Sequence, residues 1–206
     1  MANKILVLGS SGTGKTTSIR NLDPKNTIVV QGRKKRLPFK KDKEYIEGKN
    51  RFVLDSNTKL LKLLEAIEKG KADKMVLVVD DWNYLMTSEY MAARNEKGFT
   101  KFERMAFNLI DVLDYVDNMT KDITVIFMAH TQKDNDGELE FKSVGKFVSE
   151  KFCLEGAFET VFLATEEHEF VTNGIIPAKT PIDMFENEEV ENDLKEILEV
   201  YNKFYE

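Results

Sequence analysis

One stretch of the chain has residue types and spacing that already specify a chemistry. Gly9-Ser10-Ser11-Gly12-Thr13-Gly14-Lys15-Thr16 fits the pattern G-x-x-x-x-G-K-[ST], and Thr17 follows it. The context agrees: an apolar run, Ile5-Leu6-Val7-Leu8, leads in and a short helical segment leads out. Glycines at these positions let the backbone wrap around phosphate with its N–H groups turned inward, and a helix start adds a favourable field. The segment Gly9 to Thr17 is therefore expected to hold ATP. Lys15 should reach the β- and γ-phosphates, and the Thr16 hydroxyl should bind Mg²⁺.

A phosphate loop needs a second magnesium anchor on a neighbouring strand. Met75-Val76-Leu77-Val78-Val79 runs into Asp80 and Asp81. Ligands of open α/β sheets bind at the carboxyl ends of the strands, so Asp80 is the expected metal contact. Asp81 is a candidate to orient or deprotonate the attacking water; the alternative is a cap for the next turn. Ile123 to Ala129 delivers His130, Thr131 and Gln132 to the same edge. His130 and Gln132 are thus candidate sensors of the γ-phosphate, although a lone histidine at a strand end is often only structural. His168, in an acidic run, is expected to face solvent.

The elements that must position these groups are legible as alternating strands and helices. Lys4–Leu8, Asn26–Gln31, Met75–Val79, Ile123–Ala129 and Thr160–Ala164 read as strands, the more apolar of them as buried ones. A short helix follows Lys15, and amphipathic helices are expected over 57–69, 102–118 and 188–205. The stretch 82–100 is mixed and gives no clear assignment. Asn173-Gly174 is the strongest hairpin signal, joining Glu169–Thr172 to Ile175–Ile176. With no repeat or linker, residues 1–206 read as one α/β domain with a mostly parallel central sheet, flanking helices and a C-terminal antiparallel hairpin.

Composition bounds the remaining possibilities. Thirty basic residues against 36 acidic ones give a formal charge of -6, so global charge offers no support for nucleic-acid binding, while local patches keep it open. One cysteine excludes an internal disulfide and a cysteine-rich metal site. The start does not read as a signal peptide and no run is long enough to span a membrane, so a cytoplasmic protein without a membrane partner is expected.

Beyond the phosphate loop, KRLPF at 35–39, VLVVDDWNYL at 76–85, VIFMAHTQ at 125–132, FKSVGKFV at 141–148, EGAFETVFLA at 155–164, IPAKTPIDMF at 176–185 and NDLKEILEVYNKFY at 192–205 follow in order. Together they resemble the small RecA-like ATPases of bacteriophages, a group associated with single-strand annealing and recombination. The resemblance implies a RecA-like P-loop core, self-assembly into a ring or filament with ATP near a subunit interface, single-stranded DNA as partner, and a phage single-strand-binding protein beside it. It also implies that Lys133–Gly145 faces DNA, which makes Lys142 and Lys146 candidate phosphate contacts. Lys179 becomes a candidate for the neighbour's γ-phosphate, with a solvent-facing lysine as the alternative. One departure matters. The full recombinases place a catalytic glutamate after the strand that follows the phosphate-loop helix, whereas here that strand ends in Gln31-Gly32 and the next carboxylate is Asp42. Hydrolysis would then rely on Asp81, be slow, or need assembly.

The residues themselves offer one piece of support for a polyanion partner. Between Arg33 and Lys43 stand seven basic residues and one acid, in what reads as an exposed loop. Arg33, Lys34, Lys35, Arg36, Lys40 and Lys41 are its candidate phosphate contacts, and Phe39 could stack on a base. A solvated loop that balances an acidic protein is the alternative. Three functions remain open: an ATPase controlling DNA annealing or strand pairing, a nucleoside or nucleotide kinase, and a nucleotide-binding regulatory or host-interaction protein with little turnover. The kinase normally needs an arginine-rich lid, and the arginines here are scattered at 20, 33, 36, 51, 94 and 104.

Overall fold

Apolar residues alternate along the strands and sort the chain into two cores on opposite faces of one sheet. The computed structural model describes residues 2–70, 75–134 and 136–206, with the side chains of 146 and 149 also set aside. The strands are β1 (Asn3–Leu8), β2 (Thr27–Gln31), β3 (Arg51–Val53), β4 (Met75–Asp80), β5 (Ile123–Ala129), β6 (Thr131–Lys133), β7 (Leu139–Phe141), β8 (Thr160–Ala164), β9 (Glu169–Val171) and β10 (Glu189–Glu191). Eight of them form a sheet in the order β10-β9-β8-β1-β5-β4-β2-β3, and β6 and β7 form a separate hairpin. From β8 to β3 the pairings are parallel; β9 runs antiparallel to both β8 and β10. Parallel strands need covering on both faces, and the helices supply the cover.

On one face Leu6, Leu8, Leu77, Val79, Val125 and Phe127 meet α1 (Asn57–Lys69), α2 (Asn83–Ala92) and α3 (Thr100–Asp117). On the other, Ile5, Val7, Val29, Val78, Ile126 and Met128 meet Ile19 and the Leu194, Ile197, Leu198 and Tyr201 stripe of α5 (Leu194–Tyr205). A shorter helix, α4 (Lys146–Lys151), packs near α3. Ser56 caps α1 by accepting from the Lys59 N–H at 3.2 Å, and Asp193 caps α5 by accepting from Lys195 at 2.9 Å. No helix among the described residues is long and apolar enough to cross a membrane.

Several sequence expectations are corrected. Asn173-Gly174 does turn the chain, but Ile175 and Ile176 are exposed and form no strand. The Asn173 amide instead holds Thr180, donating to its hydroxyl at 2.7 Å and accepting from its N–H at 3.0 Å. The antiparallel partners of β9 are β8 and β10, so the pairing skips the whole excursion between them. Because β10 takes 189–191, the last helix begins at Leu194 rather than Glu188. The mixed stretch contains α2, and Lys133–Gly145, expected to be a DNA-facing loop, contains the turn and the second strand of the β6–β7 hairpin. The basic run is not a free loop either. Leu37 is buried, its N–H donates to Asp42 at 2.9 Å, and Phe39 packs edge-on against buried Tyr45 rather than lying open to a base.

Trp82 locks the end of β4 in place. It is fully buried, donates from Nε1 to Asn57 Oδ1 at 2.8 Å, and stacks near Phe127 and Phe141 at 4.3 and 5.6 Å. Its backbone N–H donates to Met128 O at 2.9 Å, which ties the chain beyond Asp81 to β5. Replacing Trp82 by Ala should lower the unfolding free energy by about 3–5 kcal/mol, as a cavity opens and Asn57 loses its donor. Urea denaturation of the two proteins measures this, and a loss under about 1 kcal/mol would contradict the anchoring role.

Candidate nucleotide site

The phosphate loop is shaped from outside as well as by its own glycines. A Cβ on Gly9 would stand 2.7 Å from the Ala164 carbonyl oxygen at the end of β8. Gly14 has φ +83°, and a Cβ there would meet Asn192 Nδ2 at 2.7 Å and His168 Nδ1 at 2.9 Å. Asn192 in turn donates to the Thr13 carbonyl at 3.2 Å, and the Thr13 hydroxyl donates to Ser10 O at 2.9 Å. The six residues after Lys15 form a short 3-10 helix, Thr16–Asn21. Lys15 turns back into its own loop, donating to Gly9 O at 2.6 Å and Ser10 O at 2.8 Å. Its side chain is buried, and that burial lowers its pKa to about 8 although Asp81 and Asp80 pull the other way.

Asp80 is fully buried, and its Oδ1 accepts from the Thr16 hydroxyl at 2.9 Å. Its Oδ2 is buried without a hydrogen-bond partner. Burial, and then the neighbouring Asp81, push its pKa up. A buried carboxylate oxygen left open beside a threonine hydroxyl fits a divalent cation, so Thr16 and Asp80 are the residues that would hold Mg²⁺. Bound there with a nucleotide, Mg²⁺ would neutralise charge on the β- and γ-phosphates.

Asp81 has φ 56°, a left-handed conformation that a non-glycine residue keeps only when its surroundings impose it. Its carboxylate lies 2.5 Å from Lys35 Nζ and 3.3 Å from His130 Nε2. Burial alone would raise its pKa, but the bonds from His130 and Lys35 outweigh it and bring it to about 2. In this arrangement Asp81 is a poor proton acceptor. Gln31 stands in register with Asp80 on the adjacent strand and so on the same face of the sheet. It is 1 % exposed, and neither atom of its amide has a partner. No carboxylate takes that place.

A cavity of about 510 Å³ brings most of the expected groups together: Ser11, Gly12, Gly14, Lys15, Thr16 and Thr17 from the loop, Arg33, Lys34 and Lys35 from the basic run, and Asp81 with His130. Exposed His168 and half-buried Tyr84 also line it, and Arg33 lies over the Tyr84 ring at 4.8 Å. Asp80 is buried behind the lining and meets it through Thr16, and two further candidates are placed elsewhere. Gln132 donates across the β6–β7 hairpin to Glu140 at 2.8 Å and does not line the cavity. Lys179 exchanges backbone hydrogen bonds with Val161 and does not reach the cavity of its own chain.

The basic run divides. Lys35 is tied to the acidic pair and Lys34 to Glu47 at 2.7 Å, whereas Arg36 and Lys40 are exposed and Lys41 is half-exposed. The Lys142 side chain is exposed; that of Lys146 lies outside the described residues. Asn83 is a connector missed in the sequence. It accepts from the His130 N–H and donates to the Lys142 carbonyl, stapling the end of β5 to the end of the β6–β7 hairpin. Asn192 was missed too; it fell inside the stretch read as the last helix, and nothing in the sequence marked its contact with the loop.

ATP affinity should depend on pH through Lys15. Its charged form binds phosphate, and above about pH 8 the empty loop holds a neutral amine that must take up a proton on binding. Affinity should be flat below that pH and fall by up to about tenfold per unit above it. Titration with a fluorescent ATP analogue across this range measures the profile, and constant affinity well above pH 8 would exclude the low pKa.

No curated protein matches the chain in sequence. Among solved structures it resembles a prototypical ATPase from the type III secretion system of pathogenic bacteria, with a TM-score of 0.50 and 14 % identity over 80 % of this chain and 51 % of that one. The chain thus spans about half the length of that ATPase, and the likeness is one of fold: a mostly parallel α/β sheet flanked by helices. A family profile described as an AAA domain matches residues 1–152, which hold the phosphate loop, Asp80 and His130. The match covers most of the chain, and the chain belongs to this AAA-domain family of nucleotide-binding, ATPase-like proteins.

Proposed function

We propose that the chain is a Mg²⁺-dependent ATPase acting on single-stranded DNA, of the phage recombination or annealing type, working as a homo-oligomeric ring or filament in the host cytoplasm. The observation that carries this reading is one cavity joining the phosphate loop, Asp81 and the start of the basic run, with Asp80 buried behind Thr16. Lys15 and the loop amides bind the phosphates, and Thr16 and Asp80 would hold the metal. Asp81 and His130 sit where water would approach. Arg36, Lys40 and Lys41 continue from the cavity wall to the surface and supply the DNA contacts, with Lys142 and Lys146 near the hairpin. In the assembly Lys179 serves the γ-phosphate of a neighbour, and a phage single-strand-binding protein is the expected companion on DNA.

A nucleotide kinase fits less well. Arg20 is engaged by Glu191, Arg51 by Asp42 and Arg104 by Glu96, and Arg33 alone among the arginines lines the cavity. A specific observation does favour the regulatory reading with little turnover. Gln31 stands where an acid would serve, and Asp81 is already bound on both sides.

Phosphate release, measured with and without single-stranded DNA at low and high salt, separates the three. Stimulation by DNA at low salt is expected, and Lys15→Ala should abolish release. Release that needs a nucleotide acceptor would instead identify a kinase. Tight ATP binding with no turnover under any condition would establish the regulatory reading. Replacing Arg36, Lys40 and Lys41 together by Ala should weaken DNA binding and flatten its dependence on log salt by about 0.7 per lost phosphate contact. An unchanged slope would remove these residues from the interface.

A further inference from the structure

Lys35 belongs to the run that sequence reasoning assigned to DNA, yet its ammonium is turned inward. It lies 2.5 Å from Asp81 Oδ2 and 3.6 Å from Asp80 Oδ2, the buried oxygen that lacks a hydrogen-bond partner. Thr16 already occupies the other Asp80 oxygen. The ammonium therefore supplies charge at the place where Thr16 and Asp80 would hold a divalent cation. Its mount suits movement: the side chain is 41 % exposed, while the backbone strap that carries it is fixed at both ends. Gly32 donates its N–H to Asp80 O at 3.3 Å and has no room for a Cβ beside Tyr84 at one end, and buried Leu37 is held by Asp42 at the other. A flexible four-carbon stem on a fixed strap can leave the carboxylates without unfolding anything. The same ammonium lines the cavity with Lys15 and Thr16, so a nucleotide bound there would offer it phosphate oxygens in exchange.

We propose that Lys35 is an internal competitor for the metal: it neutralises the Asp80–Asp81 pair when no nucleotide is bound, and it yields to Mg²⁺ when ATP supplies a terminal phosphate for its ammonium. The metal then binds poorly by itself and well with ATP, and the site prefers ATP over ADP. This deepens the ATPase reading and rests on it for the nucleotide half, whereas the metal half can be tested without nucleotide.

The test uses the full chain with Mn²⁺ as probe, followed by electron paramagnetic resonance, in wild type, Lys35→Met and Lys35→Arg. Without nucleotide, Lys35→Met should bind Mn²⁺ on the order of tenfold more tightly, because the competing charge is gone. Lys35→Arg should stay near wild type. Asp80→Asn should lose the site, which shows that the ion is read there. Lys35→Met should also reduce the preference for ATP over ADP in the presence of Mg²⁺. Equal Mn²⁺ affinity in wild type and Lys35→Met, with circular dichroism showing both folded, would overturn the proposal, as would an unchanged ATP preference. Should wild type bind no nucleotide at all, the ATPase reading fails, and the Mn²⁺ comparison still decides whether Lys35 guards the acidic pair.

Discussion

Asp80 and Asp81 stand side by side at the end of β4, one fully out of water and the other in a left-handed conformation. Two carboxylates so placed repel each other and lose hydration, and the chain meets that cost from four directions. The Thr16 hydroxyl comes from the phosphate loop, the Lys35 ammonium from the basic run, the His130 ring from β5, and β4 itself is held by Trp82 beyond the pair. The Thr16 side chain, the inward turn of Lys35 and the His130 ring at the end of β5 all converge on this pair. The β5 strand lies between β1 and β4 in the sheet, which sets His130 near both the loop and the acids.

Much of this was legible from sequence because it is local. Buried strands appear as unbroken apolar runs, α1 as a leucine stripe, and the phosphate loop as a fixed spacing, and these fall where they were read. What sequence concealed depends on tertiary pairing. The β3 and β10 strands have three residues each and exist only because a neighbouring edge needs partners. The Asn-Gly turn signal was real as a turn, but Asn173 spends its side chain on Thr180, and the sheet takes its next strand from farther along. The α2 helix escaped notice because its residues show no clean apolar face and its burial is decided by Trp82 and α3.

The basic run shows the same lesson at the site. Composition alone treats its cations as equivalent, yet the fold distributes them. Lys35 goes to the acids, Lys34 to Glu47 and Arg33 to the Tyr84 ring, while Arg36 and Lys40 remain in solvent. Pattern reading could find a charged patch, but which charges are spent internally is a property of the folded neighbours. The acid missing after β2 was visible in sequence; that Gln31 would be buried beside Asp80 with an unpaired amide was not.

The outer wall of the phosphate loop comes from a different part of the chain than its floor. The floor lies within residues 1–152, shared with the family, but Ala164, His168 and Asn192 press on Gly9 and Gly14 from beyond that stretch. Arg20 and Asn21, at the end of the 3-10 helix, are likewise gripped by Glu191 and Asp193. The motif that recognises phosphate thus lies inside the matched stretch, whereas part of the mould that sets its curvature lies outside it. A substitution in that wall can retune how tightly the loop closes on a nucleotide while every residue of the motif stays the same.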